Sequence, residues 1–337
     1  MNTVPSRSRP GFTLVELMTV IAIIMLLIGI LIPALSAARR QAKQASTAGL
    51  LNSLGSGCEM FQGDFKRYPQ SRGPNPFEGD DPDILLMGAQ WLAVQLVGPD
   101  GRGFVNPVIQ NDADRDGDID SVDWHDWYAL PDDMIDPDRE YTRMGPYADV
   151  DAKNLRTVET FAIDNPDIPA PPEMLAGDAA AWGNSRVPFF VDAFGYPVLY
   201  YAATPKVDAP FTTDTPGSGF VVGRYDQADN GYFTGSAGDD GRWPAPGAGW
   251  DLAGAGITGS FAHPLGEFGY VADQTEFPDP KTFAVFVIDS NIFENTARGT
   301  SGGLIWPYRP DSFLLISPGE DALFGTGDDV TNFNTGR

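Results

Sequence analysis

The sequence contains little cysteine, little histidine and few basic residues, and each shortage excludes a class of protein. Cys58 is the only cysteine in 337 residues, so an intrachain disulfide cannot form. With only two histidines beside it, the sequence has no Cys/His cluster of the kind that binds zinc. The 46 acidic residues outnumber the 22 basic ones, and a formal net charge of -24 argues against nucleic-acid binding. This balance is typical of an exported or cation-binding surface, and equally of a chain kept soluble by its charge.

Signatures of catalysis are also lacking. The sequence has no Walker motif and no dinucleotide-binding fingerprint. "GTSGG", residues 299–303, matches G-x-S-x-G, but a nucleophile elbow requires a helix after the serine, and a segment with two prolines follows instead. Both histidines, His125 and His263, precede Ser301, which is the wrong order for that class of hydrolase. We therefore predict that the protein is not an enzyme.

A membrane-length apolar run dominates the N-terminal part of the sequence. It extends from Phe12 to about Leu35, and as a helix rising about 1.5 Å per residue it would span the ~30 Å hydrocarbon core of a bilayer. A secretory signal would end in a small-residue cleavage site, but here the helical pattern continues into "SAARRQAKQASTAGLLNSL". We therefore expect the run to be retained and any processing to occur before it. Basic residues flank the run on both sides: Arg7, Arg9, Arg39, Arg40 and Lys43.

One carboxylate, Glu16, lies inside this apolar run. A charge in the hydrocarbon core costs about 2.5–3.5 kcal/mol on insertion scales, so this side chain requires a partner. Cleavage after Gly11 would give Phe12 a free amine, four residues before Glu16. The amine and the carboxylate could pair within one helix. They could also pair between neighbouring helices of a bundle, where the pair would fix axial register.

"GFTLVEL", residues 11–17, resembles the cleavage and assembly motif of type IV pilins and of the pseudopilins of type II secretion. The resemblance implies cleavage after Gly11 by prepilin peptidase, N-methylation of Phe12 and a role for Glu16 in filament assembly. Pro33 falls where that family often has a helix-bending proline. The family also implies a single-pass precursor in the inner (cytoplasmic) membrane, with its head outside the cytoplasm. Secretion or pilus assembly machinery would then build it into a homo-oligomeric filament.

An amphipathic pattern continues beyond the apolar run. Apolar residues recur every three or four positions and define one helical stripe: Leu50, Leu54, Cys58, Phe61 and Phe65. We expect this stripe to pack on a globular head, with Cys58 as a small buried hydrophobic residue. Gly55 and Gly57 are unfavourable in a helix interior, so we expect a bend or close packing there.

Three further stretches indicate how the head begins and where its strands lie. "FQGDFKRYPQS", residues 61–71, predicts that the helix ends at Tyr68-Pro69, and it is similar to the tyrosine-proline after the long helix of the major pseudopilin. "VDAFGYPVLYYAA", residues 191–203, predicts a turn followed by a strand. It resembles an Asp-Pro-Trp-Gly-x-Pro-Tyr stretch of that pseudopilin, with Ala193 and Phe194 in place of Pro and Trp. Residues 281–291 and 311–319 are the other predicted strands.

Together these elements predict an α+β fold in which a long N-terminal hydrophobic helix packs on a small antiparallel sheet with large loop insertions. The predicted segments are a leader at residues 1–11, a transmembrane or filament-core helix at 12–35, the amphipathic half of the stalk helix at 36–66, and a globular head at 67–337. Insertions rich in Gly, Pro, Asp and Trp are expected at about residues 100–185 and 205–280 of the head.

The first of two acidic loops, "DADRDGDIDSVD" at residues 112–123, has the spacing of a calcium loop. Aspartates at its first, third, fifth and twelfth positions can converge on one ion, and the seventh supplies a backbone oxygen. The loop resembles a dockerin repeat because its last ligand is Asp rather than Glu. No second repeat follows, which argues against a true cohesin-binding dockerin, and a solvated acidic turn is the alternative. The predicted ligands are Asp112, Asp114, Asp116, Asp118, Asp120 and Asp123.

The second acidic loop, "SPGEDALFGTGDDVTNF" at residues 317–333, resembles the C-terminal calcium loop of the major pseudopilin. Hard oxygen ligands on a Gly-rich loop suit Ca²⁺ rather than zinc. Because no disulfide can form, bound calcium would be the element that fixes this segment; a mobile acidic tail is the alternative. The ligands that the resemblance implies are the Leu315 backbone, the Ser317 hydroxyl, Asp321, and either Asp329 or Asp328.

The favoured prediction is a structural subunit of a type II secretion-like pseudopilus, which assembles through its N-terminal helix and pushes cargo outward. One alternative is a type IV pilin whose large acidic head binds a partner or a surface. The other is a membrane-anchored module that binds carbohydrate or protein through the dockerin-like loop. In each case the expected cofactor is Ca²⁺ and no nucleic-acid partner is expected.

Overall fold

The structure is a computed structural model that describes residues 14–71, 73–74, 85–98, 103–105, 143–157, 160–161, 187–203, 211–212, 221–222, 225–234, 283–289, 291–292, 304–305 and 307–333. It divides into two compact units, Met1–Ala45 and Ser46–Arg337. The predicted insertions at 100–185 and 205–280 lie largely outside the described residues, as do Gly11, Phe12 and the acidic loop at 112–123. The segment boundaries drawn from the sequence stay predictions.

The N-terminal half of the predicted stalk and its amphipathic continuation form one helix, α1 (Leu14–Phe65), which continues through Pro33. By length and composition α1 could cross a membrane, and none of its most apolar window is buried. The helix ends three residues before the predicted Tyr68-Pro69 boundary. Lys66 adopts a left-handed φ of 59°, and its N–H donates to the Gln62 carbonyl at 2.9 Å, which is a typical helix C-terminal arrangement.

The predicted apolar stripe of α1 is confirmed. Leu54 and Cys58 are completely buried, and Phe61 is 2% exposed. They pack in one cluster with Trp91 and with residues of the sheet described below. The close packing expected at the glycines is found at Gly57, where an added Cβ would lie 3.0 Å from the Tyr147 carbonyl oxygen.

Polar contacts also fasten the end of α1 to the rest of its unit. The Tyr68 hydroxyl donates to Glu59 at 3.1 Å, and Arg309 Nη2 lies 3.7 Å from the other carboxylate oxygen of Glu59. The Arg309 guanidinium stacks on Phe313 at 4.8 Å from the ring centroid. The ion pair between Glu59 and Arg309 joins residues distant in sequence, so it holds the helix against the C-terminal part of the fold.

The central sheet is antiparallel and contains β7 (Leu199–Ala202), β12 (Phe313–Ser317) and β13 (Val330–Thr331), in the order β13-β12-β7. Leu315 pairs with Tyr200, and Ile316 pairs with both Leu199 and Thr331. Two of the predicted strands, those within 191–203 and 311–319, are therefore confirmed. With α1 they confirm the predicted α+β class.

Both faces of the sheet are covered by apolar clusters. Alternate residues of each strand point to opposite faces, so they belong to different clusters. Tyr200 and Leu315 belong to the cluster that contains the α1 stripe. Tyr201 and Leu314 belong to a second cluster on the other face, which contains Phe283 and other aromatic residues. The aromatic alternation in the "VLYYAA" stretch is thus buried on both sides.

The other helices that lie wholly within the described residues are short. They are α2 (Gly88–Val97), α3 (Gly231–Thr234) and α4 (Phe283–Val287), with 3-10 turns at Ala152–Asn154 and Gln227–Asn230. Every residue of α2 is buried, and Gly88 is required at its start because a Cβ there would lie 2.1 Å from the Tyr200 carbonyl oxygen.

The other strands of the described residues form two-stranded antiparallel pairs. The pairs are β1 (Gly73–Pro74) with β2 (Leu85–Leu86), β3 (Phe104–Val105) with β4 (Arg143–Met144), β5 (Leu155–Arg156) with β6 (Phe189–Phe190), β8 (Phe211–Thr212) with β11 (Leu304–Ile305), and β9 (Val221–Val222) with β10 (Tyr225–Asp226).

The strand predicted at 281–291 is wrong, because its centre is the helix α4. Ile288 then makes a single antiparallel bridge to Pro307. A short continuous apolar run does not distinguish a buried strand from a buried helix, and Phe283, Phe286 and Val287 are all buried here as a helical face.

Candidate functional site

The first candidate site is the start of α1. Glu16 lies in the first turn of the helix, where a carboxylate is favoured by the helix dipole. Its flanking residues are strongly exposed, with Leu14 at 73% and Met18 at 63%. The Thr19 hydroxyl donates to the Val15 carbonyl at 2.9 Å, so this polar side chain is satisfied within the helix. The structure thus presents a carboxylate within an exposed apolar helical surface.

Exposure of this kind continues along the helix. All the large apolar side chains from Leu14 to Leu35 are exposed, by between 43% and 73%. A surface this apolar is stable only when lipid or protein covers it. Pro33 lies within this segment and has no N–H to donate to the carbonyl one turn earlier.

The second candidate site is the C-terminal acidic loop between β12 and β13. Asp328 holds the loop together: its Oδ2 accepts from the N–H groups of Glu320 at 2.7 Å and Asp321 at 3.1 Å. Its Oδ1 accepts from the Thr326 hydroxyl at 2.7 Å. Burial opposes ionisation of Asp328, but these hydrogen bonds hold the pKa of its carboxyl below the usual value.

Asp329 has a different environment. Its Oδ2 accepts from the Gly325 N–H at 2.8 Å. Burial raises the pKa of Asp329 to about 8, and the carboxylates of Asp321 and Asp328 add to the rise, although backbone N–H groups of the loop lower it. Burial also raises the pKa of Asp321, whose Oδ1 accepts from the Leu323 N–H at 2.8 Å. The loop therefore contains three neighbouring carboxyl groups, and the ionisation of one of them, Asp329, is opposed by burial and by the other two.

The two remaining predicted ligands are engaged with neighbouring segments. The Leu315 carbonyl accepts from the Asn332 N–H at 3.2 Å, and the Leu315 N–H donates to the Asn332 side-chain oxygen at 2.8 Å. The Ser317 hydroxyl donates to Asp192 Oδ2 at 2.6 Å. Ser317 is thus at the edge of the acidic loop and faces a fourth carboxylate.

Asp192 is the residue of this site that sequence reasoning missed. Its Oδ1 accepts from the N–H groups of Phe194, Gly195 and Tyr196 at 2.8–2.9 Å, which forms the turn before β7. Burial raises the pKa of Asp192, while the bond from Ser317 and the turn N–H groups lower it. The "VDAFGYP" pattern indicates the turn, but no local signal in it indicates contact with Ser317.

The donors of the acidic loop are chemically suited to calcium, since all are oxygens. Within the described ranges, however, no group of three or more His, Cys, Asp or Glu side chains is arranged so that it could hold a metal ion. Asp328 accepts three protein hydrogen bonds, from Glu320, Asp321 and Thr326, and both oxygens of Asp329 accept one each, from Gly325 and Thr326. These contacts occupy both predicted carboxylate ligands. The predicted site at Asp112, Asp114, Asp116, Asp118, Asp120 and Asp123 lies outside the described residues.

Comparison with known proteins bears on the first candidate site. The model of the prokaryotic N-terminal methylation motif matches residues 6–32. The type IV wide pilus major component PilA4 of Thermus thermophilus is 42% identical over 66 residues, which is 20% of this chain and 50% of that protein. The chain thus spans about half the length of the curated relative that it matches. No solved structure matches the chain. Residues 6–32 of the protein therefore carry a prokaryotic N-terminal methylation motif, and over 66 residues the chain is similar to a type IV pilus component.

Proposed function

We propose that the protein is a filament-forming subunit of the type IV pilin class, and that it works as a structural component rather than as an enzyme. The observation that carries the proposal is Glu16, a carboxylate within the exposed apolar part of α1 and inside the segment that matches the methylation motif. Such a charge is tolerated in an apolar assembly only when it is paired. In the proposal its partner is the amine of Phe12 on a neighbouring subunit, released by prepilin peptidase through cleavage after Gly11.

The pairing explains both membrane residence and assembly. Before assembly, α1 anchors the precursor in the cytoplasmic membrane, with the head outside the cytoplasm. During assembly the apolar surface of α1 leaves the lipid and packs against the apolar surfaces of neighbouring α1 helices. Little apolar surface therefore becomes exposed to water. The amine–carboxylate pair then fixes how far each subunit is displaced along the next.

A substitution at Glu16 tests this function. Glu16→Ala and the isosteric Glu16→Gln should enter the membrane normally but fail to join filaments of wild-type subunits. Thr19→Val is the matched control, because Thr19 lies one turn away and its hydroxyl bonds only to carbonyls of its own helix. Normal incorporation of both Glu16 variants would refute the proposed pairing.

Within this class we favour a type II secretion-like pseudopilus that drives protein export. The support is the C-terminal acidic loop, which resembles that of the major pseudopilin. Similarity to a pilus component favours the alternative, a type IV pilus subunit. Antibody labelling of intact and permeabilised cells separates the two: short filaments confined beneath the surface, with loss of secretion on deletion, support the pseudopilus. Long surface filaments with secretion intact support the pilus.

Calcium binding by the C-terminal loop is a further part of the proposal. Asp321, Asp329 and the Ser317 hydroxyl would hold the ion, while Asp328 braces the loop. Support comes from the oxygen-only donors and from the raised pKa of Asp329 beside two other carboxyls, a cost that a bound cation would remove. The side chains must converge further to bind it.

Thermal unfolding of the full chain in mild detergent, with calcium or with chelator, tests this site. We expect a higher melting temperature in excess calcium, by linkage, and loss of that increase in Asp329→Asn. An Asp112→Asn variant serves as the control for the other predicted loop. Equal melting temperatures in calcium and in chelator would mean that neither loop binds calcium.

A further inference from the structure

A buried tyrosine hydroxyl in the second cluster lacks a hydrogen-bond partner. Tyr201 lies on β7, its side chain is completely buried, and its ring centroid is 4.7 Å from that of Phe283. The hydroxyl makes no hydrogen bond with any residue that the structure describes. A buried hydroxyl without a hydrogen bond is costly, and the large majority of such groups in folded proteins are bonded to protein or to ordered water. The Tyr201 hydroxyl therefore requires a partner.

The neighbouring tyrosine on the same strand provides a contrast. Tyr200 faces the opposite side of the sheet and is equally buried, but its hydroxyl donates to the Pro69 carbonyl at 2.6 Å. The two tyrosines share one strand, so the difference comes from the groups that surround each hydroxyl. They form a matched pair, in which one hydroxyl is bonded to the protein and the other is not.

Two polar side chains near the Tyr201 hydroxyl belong to the 3-10 turn Gln227–Asn230, which packs on β7. The first is Asn230, which is completely buried. Its amide nitrogen donates to the Tyr200 carbonyl at 2.7 Å, and its amide oxygen accepts from the Ala89 N–H at 2.9 Å. These two bonds fix the amide beside the strand, so its oxygen is already engaged and its second N–H remains the group that it can offer to a ligand.

The second side chain is Asp229, which supplies a buried carboxylate. It is 3% exposed, and its Oδ2 accepts from the hydroxyl of Ser71, a residue of the segment that follows α1. Burial raises the pKa of Tyr201, the charge of Asp229 adds to the rise, and the Asn230 amide lowers it. Both side chains thus act on the hydroxyl, although neither forms a hydrogen bond with it. Polar groups that face one another beyond hydrogen-bond distance are commonly bridged by water.

We propose that one water molecule is bound inside the head, between the Tyr201 hydroxyl, the Asp229 carboxylate and the Asn230 amide. Water accepts the hydroxyl proton and the amide N–H, and it donates to the carboxylate, which can accept about four hydrogen bonds in all. A buried water typically makes about three hydrogen bonds, which is the number offered here. A metal cation fits less well, because the hydroxyl and the amide N–H are both donors. This inference does not depend on the proposed filament function.

The bound water completes a polar network beneath the connection between α1 and the sheet. Pro69 and Ser71 lie in that connection, and they bond to Tyr200 and to Asp229 respectively. The water extends the network from Asp229 to Tyr201, so both tyrosines of β7 are tied to the segment that follows the long helix. The site therefore has a structural role, which is to fix this connection on the sheet.

The first test compares urea unfolding of Tyr201→Phe and Tyr200→Phe, each in the full chain in mild detergent. Both substitutions remove one oxygen atom and keep the ring. If water bonds the Tyr201 hydroxyl, its loss removes a hydrogen bond, and we expect the equilibrium constant for unfolding to rise about fivefold. Tyr200→Phe is the matched control, and it should raise that constant by a similar factor because it removes a direct bond. A constant for Tyr201→Phe that is equal to or below that of wild type would overturn the inference, because removal of an unpaired hydroxyl is neutral or stabilising.

The second test identifies the occupant in a crystal structure of the full chain in detergent, at a resolution that shows ordered water. We expect one density peak about 2.7–3.0 Å from the Tyr201 hydroxyl oxygen and within hydrogen-bond distance of the Asp229 carboxylate. Absence of a peak, or a direct bond between Tyr201 and Asp229, would overturn the inference. So would a peak surrounded by oxygens at about 2.3–2.6 Å, because those are the distances of a bound calcium ion.

Discussion

Gly57 provides the sharpest test of how α1 is anchored in the head. In a helix interior, Gly→Ala is ordinarily stabilising by about 1 kcal/mol. At Gly57 the new Cβ would lie 3.0 Å from the Tyr147 carbonyl oxygen and 3.3 Å from both Ala148 Cβ and Leu96 Cδ1. Overpacking of this kind costs about 1–3 kcal/mol, so the propensity gain is cancelled or reversed.

Gly49 is the matched control for this substitution. It lies on the same helix, and an added Cβ there meets no atom within 4 Å. Gly49→Ala should therefore show the gain of about 1 kcal/mol without the packing cost. We expect the two alanine variants to differ in their free energy of unfolding by about 2 kcal/mol, with Gly57→Ala the less stable.

The single cysteine supplies the assay without further engineering. Cys58 is completely buried beside Gly57, and burial raises the pKa of its thiol well above the usual value. An alkylating reagent therefore reacts only when α1 opens from the head, and the labelling rate follows the opening equilibrium. A difference of about 2 kcal/mol corresponds to roughly thirty-fold faster labelling of Gly57→Ala than of Gly49→Ala at pH 8 in detergent. Equal rates in the two variants would refute the packing described for this face.

Three further predictions concern contacts within the head. A double-mutant cycle of Glu59→Gln and Arg309→Gln should give a coupling of about 0.2–1 kcal/mol, since the pair is partly exposed; zero coupling would show that it contributes nothing to anchoring α1. Asp192→Ala removes the acceptor of three turn N–H groups and should cost about 3 kcal/mol or more in urea unfolding, with Asp192→Asn milder; equal stability of both with wild type would contradict the turn geometry. Gly88→Ala forces a Cβ to 2.1 Å from the Tyr200 carbonyl oxygen, so little folded protein is expected by near-UV circular dichroism, and a native spectrum would refute this close approach.

Local patterns predicted the parts of the fold that depend on local physics. The stripe through Leu54, Cys58 and Phe61 is confirmed because a period of 3.6 residues and an apolar character are properties of the segment itself. The strands at Leu199–Ala202 and Phe313–Ser317 are confirmed for the same reason, because each is a short apolar run with aromatic residues that follows a turn.

The failures occur where long-range contacts decide. Residues 283–287 are helical because their aromatic residues fill one face of the second cluster, which the apolar run alone does not specify. The helix end at Phe65 depends on the left-handed conformation of Lys66. Glycine usually occupies such a position, so a lysine there does not indicate a helix end in the sequence. The contact between Asp192 and Ser317 joins residues 125 positions apart, so no spacing rule in the sequence reveals it.

The same distinction applies to the candidate sites: the sequence indicates Glu16 but not the roles of the residues in the C-terminal loop. Glu16 is conspicuous in the sequence because its charge conflicts with its surroundings, and the structure places it on an exposed apolar helix as the pattern indicates. The roles within the C-terminal loop are not readable from the sequence, because Asp328 and Asp329 are adjacent and chemically identical. The structure separates them: hydrogen bonds hold the pKa of Asp328 below its usual value, whereas burial raises the pKa of Asp329.

Assembly is proposed to depend on an amine at Phe12 and the carboxylate of Glu16. The mass of the N-terminal peptide, taken from filaments isolated from the natural host, tests this pairing. We expect a peptide that begins at Phe12, with one added methyl group on its amine. A peptide that retains residues 1–11 would refute the pairing, because Glu16 would then have no such amine to pair with.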